Sequence, residues 1–225
     1  MIDVVAIDGP AGAGKSSVSR AVATRLGYRY VDTGAMYRVI GVLACEGGVA
    51  EDDGMALAAL CDSVSISFKE QEGEIHVFAD ARDVSREIRS AEAGQWASKV
   101  SASLAVRERL VAQQRRMAES GHVVMEGRDI GTVVCPDAVV KVFLDASPRE
   151  RAKRRSIELQ KRGEAIDLER MIKEIEERDQ RDRGRVHSPM RPAADAVTID
   201  TTGLALEQVI ERICQIVREP GRRRP

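Results

Sequence analysis

Apolar residues in this chain fall into short runs separated by stretches of helical spacing. Val4-Val5-Ala6-Ile7, Tyr28 to Val31, Val123-Val124-Met125, Val139 to Leu144 and Ala196 to Ile199 have the length and content of buried strands. Val18, Ala21, Val22 and Leu26 recur at helical spacing behind the first run. Val106, Leu110, Val111 and Met117 do the same between Leu104 and Met117, and Leu206, Val209, Ile210, Ile213 and Val217 do so near the end. Strands that alternate with helices predict an α/β fold, a five-stranded parallel sheet flanked by helices on both faces. Between about Ser63 and Val84 the period drops to two. Val64, Ile66 and Phe68 alternate with polar residues, and Ile75-His76-Val77-Phe78 follows a Glu-Gly-Glu turn, which predicts a small antiparallel insert.

Helix starts add detail to the second half. Ser147-Pro148-Arg149-Glu150 combines a serine cap, proline at the first helical position and glutamate three residues on. The helix it opens is dense in cations: Arg149, Arg151, Lys153, Arg154 and Arg155, then Lys161 and Arg162 before Gly163. A solvated face accounts for most of them. A second helix is predicted from near Asp167, with Glu174 and Arg178, then Glu177 and Arg181, at supportive spacing. Arg178, Asp182 and Arg185 share one face if that helix continues through Gly184, and otherwise Arg185 sits on a loop.

Composition narrows the class. At 225 residues and 43% hydrophobic content the chain suits one well-buried domain with a smaller insert. Its 35 basic and 36 acidic side chains leave a net charge of −1, which gives no case for bulk attraction to nucleic acid. Cys45, Cys61, Cys135 and Cys214 are scattered without a CxxC or a histidine at ligand spacing, so they read as reduced core residues of a cytoplasmic protein. No run approaches the roughly 20 apolar residues of a membrane span and no charged-then-apolar leader opens the chain, so export and membrane insertion are not expected.

The chemistry begins at Gly9-Pro10-Ala11-Gly12-Ala13-Gly14-Lys15-Ser16-Ser17, a phosphate-binding P-loop between a predicted strand and a predicted helix. Its glycines let successive amide N–H groups turn inward on a polyphosphate, at the positive end of the following helix. Lys15 reaches the outer phosphates, and the Ser16 hydroxyl joins the shell of a magnesium ion carried by them. Kinase, hydrolase, switch and motor all use such a loop. Asp32-Thr33-Gly34-Ala35-Met36-Tyr37-Arg38 and Glu126-Gly127-Arg128-Asp129 follow strands, and so belong at the carboxyl edge of the sheet where ligands bind. Arg38, Arg107, Arg128 and the cluster from Arg178 to Arg185 supply what phosphoryl transfer between two anions needs, converging guanidinium groups.

Six segments resemble the bacterial cytidylate kinases, within the nucleoside monophosphate kinases: Ile7 to Lys15, Asp32 to Arg38, Val84 to Arg89, Gly127 to Val134, Val142 to Ala146 and Arg178 to Arg183. The resemblance spans nearly the whole chain. It implies a P-loop kinase core in residues 1–62 and 101–220, a nucleoside-monophosphate-binding insert in 63–100, a short lid in 151–165 and a disordered basic tail in 221–225. It implies ATP contacts from Gly9 through Ser17 and from the lid residues Arg154 and Arg155. Contacts to the monophosphate are implied for Thr33, Arg38, Ser98, Arg107, Arg128, Asp129, Arg178, Asp182 and Arg185. Of these, Arg38, Arg107 and Arg128 hold the phosphate. A carboxylate such as Asp129 or Asp182, with Ser98, Arg107 and Arg178 nearby, reads the cytosine edge. Lys15, Arg128, Arg178 and Arg154 are the catalytic residues it implies.

The expected reaction is direct transfer of the γ-phosphoryl of Mg·ATP to CMP or dCMP, giving ADP and CDP or dCDP. Magnesium arrives with ATP, with Ser16 as the protein ligand, and no tightly bound organic cofactor is expected. A cytoplasmic monomer with no membrane and no specific nucleic-acid partner completes the expectation. Kinases of UMP, dTMP or shikimate are rivals within the class. A GTP-binding switch is a rival outside it, although no Asn-Lys-x-Asp element is present. A nucleic-acid-binding role has only Arg222-Arg223-Arg224 behind it.

Overall fold

The computed structural model describes residues 3–71, 73–160 and 166–219. Glu72 of the expected hairpin turn, residues 161–165 of the expected lid and the tail 221–225 lie outside the described residues. In chain order the elements are β1 (Val4–Asp8), α1 (Lys15–Leu26), β2 (Arg29–Asp32), α2 (Thr33–Glu46), α3 (Gly54–Ser63), β3 (Ile66–Gln71), β4 (Glu74–Ala79) and β5 (Arg82–Asp83). There follow α4 (Ala91–Val100), α5 (Leu104–Ala118), β6 (Val123–Gly127), β7 (Val140–Asp145), α6 (Pro148–Gln160), α7 (Leu168–Arg183), β8 (Val197–Asp200) and α8 (Leu206–Arg218). A π-helical turn, Ile130–Val134, follows β6.

Two compact units share these elements: residues 1–30 with 118–225, and Val31–Met117. The first is built on the predicted five-stranded parallel sheet, in the order β2-β6-β1-β7-β8. All five residues of β1 and of β6 are buried, as expected of strands covered by helices on both faces. Val4 pairs with Val123 and the register runs on to Asp8 opposite Gly127, so the loops after β1 and β6 leave the sheet side by side. On one face, Val18 and Val22 of α1 pack with Val209, Ile213 and Val217 of α8 over Val5, Ile7 and Val142. The helical periodicity of those residues thus marks the surface that each helix buries. Ser147 Oγ accepts from Glu150 N at 3.3 Å, and Asp167 from Arg170 N at 3.1 Å, so both helix starts legible in the sequence are real caps.

In the second unit β3, β4 and β5 form the antiparallel sheet, with Ile66 opposite Ala79 and Phe68 opposite Val77. The segment expected as an insert packs there with α2, α3 and α5 around Met36, Ile40, Leu57, Cys61, Ile66, Val77, Ile88, Val100 and Leu110. Helices α2, α3 and α4 were not predicted. The buried face of α4 is rich in small residues, Ala93, Gly94, Ala97 and Ser98, which blurs the apolar contrast that marks a helix. The caps of all three carry the missing signal: Asp32, Asp53 and Ser90 each accept a backbone N–H three residues on. The cysteines are only partly core. Cys61 and Cys214 are buried, and burial pushes the Cys61 thiol up to about 11, but Cys135 is half-buried and Cys45 is exposed.

Helix α2 crosses α4 at Gly41, where an added Cβ would lie 2.6 Å from the Trp96 Cβ and 3.2 Å from its carbonyl carbon. In an open helix interior glycine-to-alanine gains about 1 kcal/mol. Gly41→Ala should instead lose about 1–3 kcal/mol, because the two backbones must separate. Urea denaturation decides the sign, and a stabilised variant would show that the crossing is looser than described.

Candidate active site

The loop after β1 is shaped by backbone that only glycine adopts easily. Gly9, Gly12 and Gly14 have φ of 146°, 77° and 88°, and a Cβ on Gly9 would sit 2.0 Å from the Leu144 carbonyl oxygen. Gly14 caps α1 without a side-chain hydrogen bond, and no acid occupies the first turn, so the positive end of the helix dipole is not neutralised locally. Lys15 opens the helix. It is buried, and its Nζ donates to the Pro10 carbonyl at 2.7 Å across the loop. Ser16 and Ser17 are exposed on the same turn.

Two arginines of α6 support this loop from outside. Arg154 donates from Nη1 to Thr201 Oγ1 at 2.9 Å and from Nη2 to the Thr201 carbonyl at 2.6 Å. Thr201 Oγ1 in turn lies 3.4 Å from the Ala13 carbonyl. Arg151, expected among the solvated cations, is instead buried, with 2% of its side chain exposed. Nothing in the sequence separates it from its exposed neighbours Arg149 and Lys153. Arg155 is half-buried on the same helix.

Beside the loop, Asp8 ends β1 and turns its carboxylate under the π-helical turn. Oδ1 accepts from Ile130 N and Oδ2 from Gly131 N, both at 2.8 Å. Burial pushes its pKa up to about 7, with Asp129 adding to the shift, against the pull of the two amides and Lys15. Asp8 joins the strand that carries the P-loop to the segment after Arg128-Asp129, a role not read from the sequence. A lone acid ending an apolar strand was the available signal.

Three arginines surround one acid at the end of α7. Asp182, 1% exposed, accepts from Arg128 Nε at 3.1 Å and from Arg185 Nη2. Burial alone would raise its pKa, but Arg128, Arg185 and Arg178 together hold it below the usual carboxylate value. The helix ends at Arg183 with Gly184 as its C-cap, so Arg185 stands outside the helix and still reaches Asp182.

The second unit holds the other expected residues. Thr33 is buried at the first position of α2, whose cap Asp32 also pairs with Arg38 at 2.5 Å. Arg38 Nε and Ser98 Oγ are buried without a hydrogen-bond partner among the described residues. Arg107, also buried, lies with its guanidinium 5.5 Å from the Tyr37 ring centre and donates at 3.4 Å to the carbonyl of Ser101. Ser101 Oγ in turn donates to the Ser98 carbonyl at 2.9 Å. The expected residues therefore fall into two sets. Gly9 to Ser17, Arg128, Asp129, Arg154, Arg155, Arg178, Asp182 and Arg185 belong to the first unit; Thr33, Arg38, Ser98 and Arg107 belong to the second.

Comparison with known proteins gives a consistent result. A family model described as cytidylate kinase matches residues 5–219. A cytidylate kinase of Geobacter sp. strain M21 is 50% identical over 216 residues, 96% of this chain and 93% of that one. Another, from Pelotomaculum thermopropionicum, is 50% identical over 220 residues, 97% of each. Among solved structures, an uncharacterised protein from Eubacterium ventriosum superposes with a TM-score of 0.53 at 12% identity, covering 96% of this chain and 98% of that one, a likeness of fold alone.

The raised pKa of Asp8 has a measurable consequence. Between about 3.8 and about 7 the folded chain keeps a proton that the unfolded chain has released, so the stability contributed by this group falls as pH rises through that window. Asp8→Asn removes the titration but leaves one amide without an acceptor. The variant should be less stable than the parent near pH 5, and the gap should narrow by pH 7.5. Denaturation curves that stay equally separated across this range would show that Asp8 has an ordinary pKa.

Proposed function

The chain belongs to the cytidylate kinase family, and we propose that it is an ATP-dependent phosphotransferase that converts CMP and dCMP to CDP and dCDP. The observation that carries this reading is the likeness over the whole length: the family match from residue 5 to 219 and relatives named cytidylate kinase at half identity over nearly all of both chains. The geometry of the first unit supports it. Asp8 pairs with Gly127, so a polyphosphate-binding loop and an arginine cluster emerge from neighbouring strands at one level.

We assign the donor side to Gly9 through Ser17, with Arg154 and Arg155 on the ATP phosphates. The ammonium of Lys15, bonded to the Pro10 carbonyl, needs only to swing to meet the phosphates and follow the charge that moves in the transition state. We assign the acceptor side to Thr33, Arg38, Ser98, Arg107, Arg128, Asp129, Arg178, Asp182 and Arg185. Arg38, Arg107 and Arg128 take the monophosphate. Asp182 holds two guanidiniums in place before substrate arrives, so little reorganisation is left for the reaction. Asp129 or Asp182, with Ser98, Arg107 and Arg178, reads the cytosine edge, and the unsatisfied Ser98 hydroxyl is supplied with a partner by a polar base.

The attacking phosphate oxygen is already anionic, so no strong general base is required and catalysis is positioning with charge stabilisation. Magnesium suits this loop, because the Ser16 hydroxyl is a hard oxygen donor exposed at the start of α1. Such an ion would be held by Ser16 together with substrate phosphates and would supply charge neutralisation. No described helix is long and apolar enough to cross a membrane. We further propose a cytoplasmic monomer without a nucleic-acid partner.

Turnover across CMP, dCMP, UMP and AMP tests the assignment, with the two cytidine nucleotides expected to lead. A clear preference for any other acceptor overturns the specificity. Lys15→Ala should lower turnover of CMP by at least ~10². Near-normal turnover by that variant would mean that the loop does not stabilise the transferred phosphoryl group.

A further inference from the structure

Arg151 is buried where three segments meet, and each of its nitrogens goes to a different one. Nε donates to the Ala146 carbonyl at 2.9 Å, at the junction of β7 and α6. Nη1 donates to the Ala11 carbonyl in the P-loop at 3.0 Å. Nη2 pairs with Asp179 Oδ2 of α7 at 2.5 Å. The planar fork of a guanidinium can satisfy all three directions at once, whereas an ammonium on a flexible stem cannot.

The Ala11 contact determines where an amide points. In a planar trans peptide the carbonyl of one residue and the N–H of the next point in opposite directions. With the Ala11 carbonyl turned out to Arg151, the Gly12 N–H is turned the other way, toward the inside of the loop. The loop lies directly on this side chain: a Cβ on Gly12 would be 3.0 Å from the Arg151 Cβ and 3.2 Å from its carbonyl oxygen. The far end of the contact reaches the helix assigned to the acceptor. Asp179 follows Arg178 and stands three residues before Asp182, so one turn of α7 is gripped by Arg151 on the donor side and by Arg128 on the other. The second oxygen of Asp179 is buried without a hydrogen-bond partner among the described residues, which leaves the ion pair to Arg151 as the contact that orients this carboxylate.

We propose that Arg151 is a positioning residue of the donor site, and that the Ala11–Arg151–Asp179 chain of contacts transmits the placement of α7 to the phosphate loop. The proposal rests on the reading of Gly9 through Ser17 as the ATP site. Two consequences follow from it. Arg151→Lys loses at least one of the three contacts and frees the Ala11 peptide. Asp179→Asn, which keeps size and shape on a helix assigned to the other substrate, loosens the same guanidinium and weakens the ATP side.

Calorimetric titration of the full-length protein with ATP needs no acceptor and reads the loop directly. Both variants should bind ATP about tenfold more weakly, in keeping with the loss of a charged hydrogen bond. The double variant should be no worse than the weaker single variant, since both cut one chain of contacts. In steady-state assays the KM for ATP should rise by a similar factor, with a smaller change in the KM for CMP. Variants that melt at lower temperature yet bind ATP as the parent does would reduce Arg151 to a structural pair and overturn the proposal. So would an additive double variant. If Arg151→Lys does not fold, Asp179→Asn alone decides by the same titration. A parent protein that binds no ATP defeats the donor-site reading itself, an outcome distinct from a parent that binds and variants that match it.

Discussion

Three carbonyl groups of one loop are engaged by side chains. Pro10 is met by Lys15, Ala11 by Arg151, and Ala13 by Thr201, which is itself bonded to Arg154. A peptide whose carbonyl is held on the outside presents its N–H to the inside. At Ala11 the inner face of the loop is thus set by the arginine that grips its back. The positive φ of Gly9, Gly12 and Gly14 permits that conformation, and the side chains of α6 and the residue after β8 select it. Burial follows from the same demand: Lys15 and Arg151 do this work deep in the fold, and the strands on either side of β1 are apolar enough to exclude water from around them.

Two buried acids near this loop titrate in opposite directions. Asp8 is raised to about 7, because burial dominates and its partners are backbone amides with Asp129 close by. Asp182 is lowered, because Arg128, Arg185 and Arg178 outweigh burial of similar depth. The first suits a structural clamp between β1 and the turn after β6, which needs an acceptor rather than a charge. The second suits an electrostatic anchor that stays ionised at neutral pH and keeps two guanidiniums aimed.

The parallel sheet, its five strands, the small antiparallel sheet and the P-loop were legible because each rests on a local rule: a run length, a period, a glycine spacing. Helices α2, α3 and α4 were not; on α4 alanine, glycine and serine fill most of the buried face and the apolar period fades, although Asp32, Asp53 and Ser90 mark the three starts. The arginine clusters were legible as residue types, and Gly184 marked where the helix stops and leaves Arg185 on a loop. Arg151 was not legible at all. An arginine surrounded in sequence by Arg149, Lys153 and Arg155 is assigned to solvent on any local argument. Only the packing of α6 on the loop after β1 and on α7 turns it inward. Cys45 failed in the opposite sense, an apolar neighbourhood in sequence that the end of α2 leaves exposed.

A balanced charge is usually read as weak attraction for anions, and the net charge of −1 reads so here. Pairing changes that conclusion. Arg38 stands against Asp32, Arg128 and Arg185 against Asp182, and Arg151 against Asp179. Each acid compensates a guanidinium that would otherwise be costly to bury, so these arginines can be held in place within the fold. The sharing is unequal: one carboxylate serves Arg128 and Arg185 with Arg178 beside it, so three guanidiniums converge on one acid. At Arg151 the acid, a buried carboxylate, and two carbonyls engage the guanidinium, and that residue is accordingly used for shape. The same pairing of arginine with aspartate gathers three guanidiniums around one carboxylate at Asp182 and builds a rigid strut at Asp179.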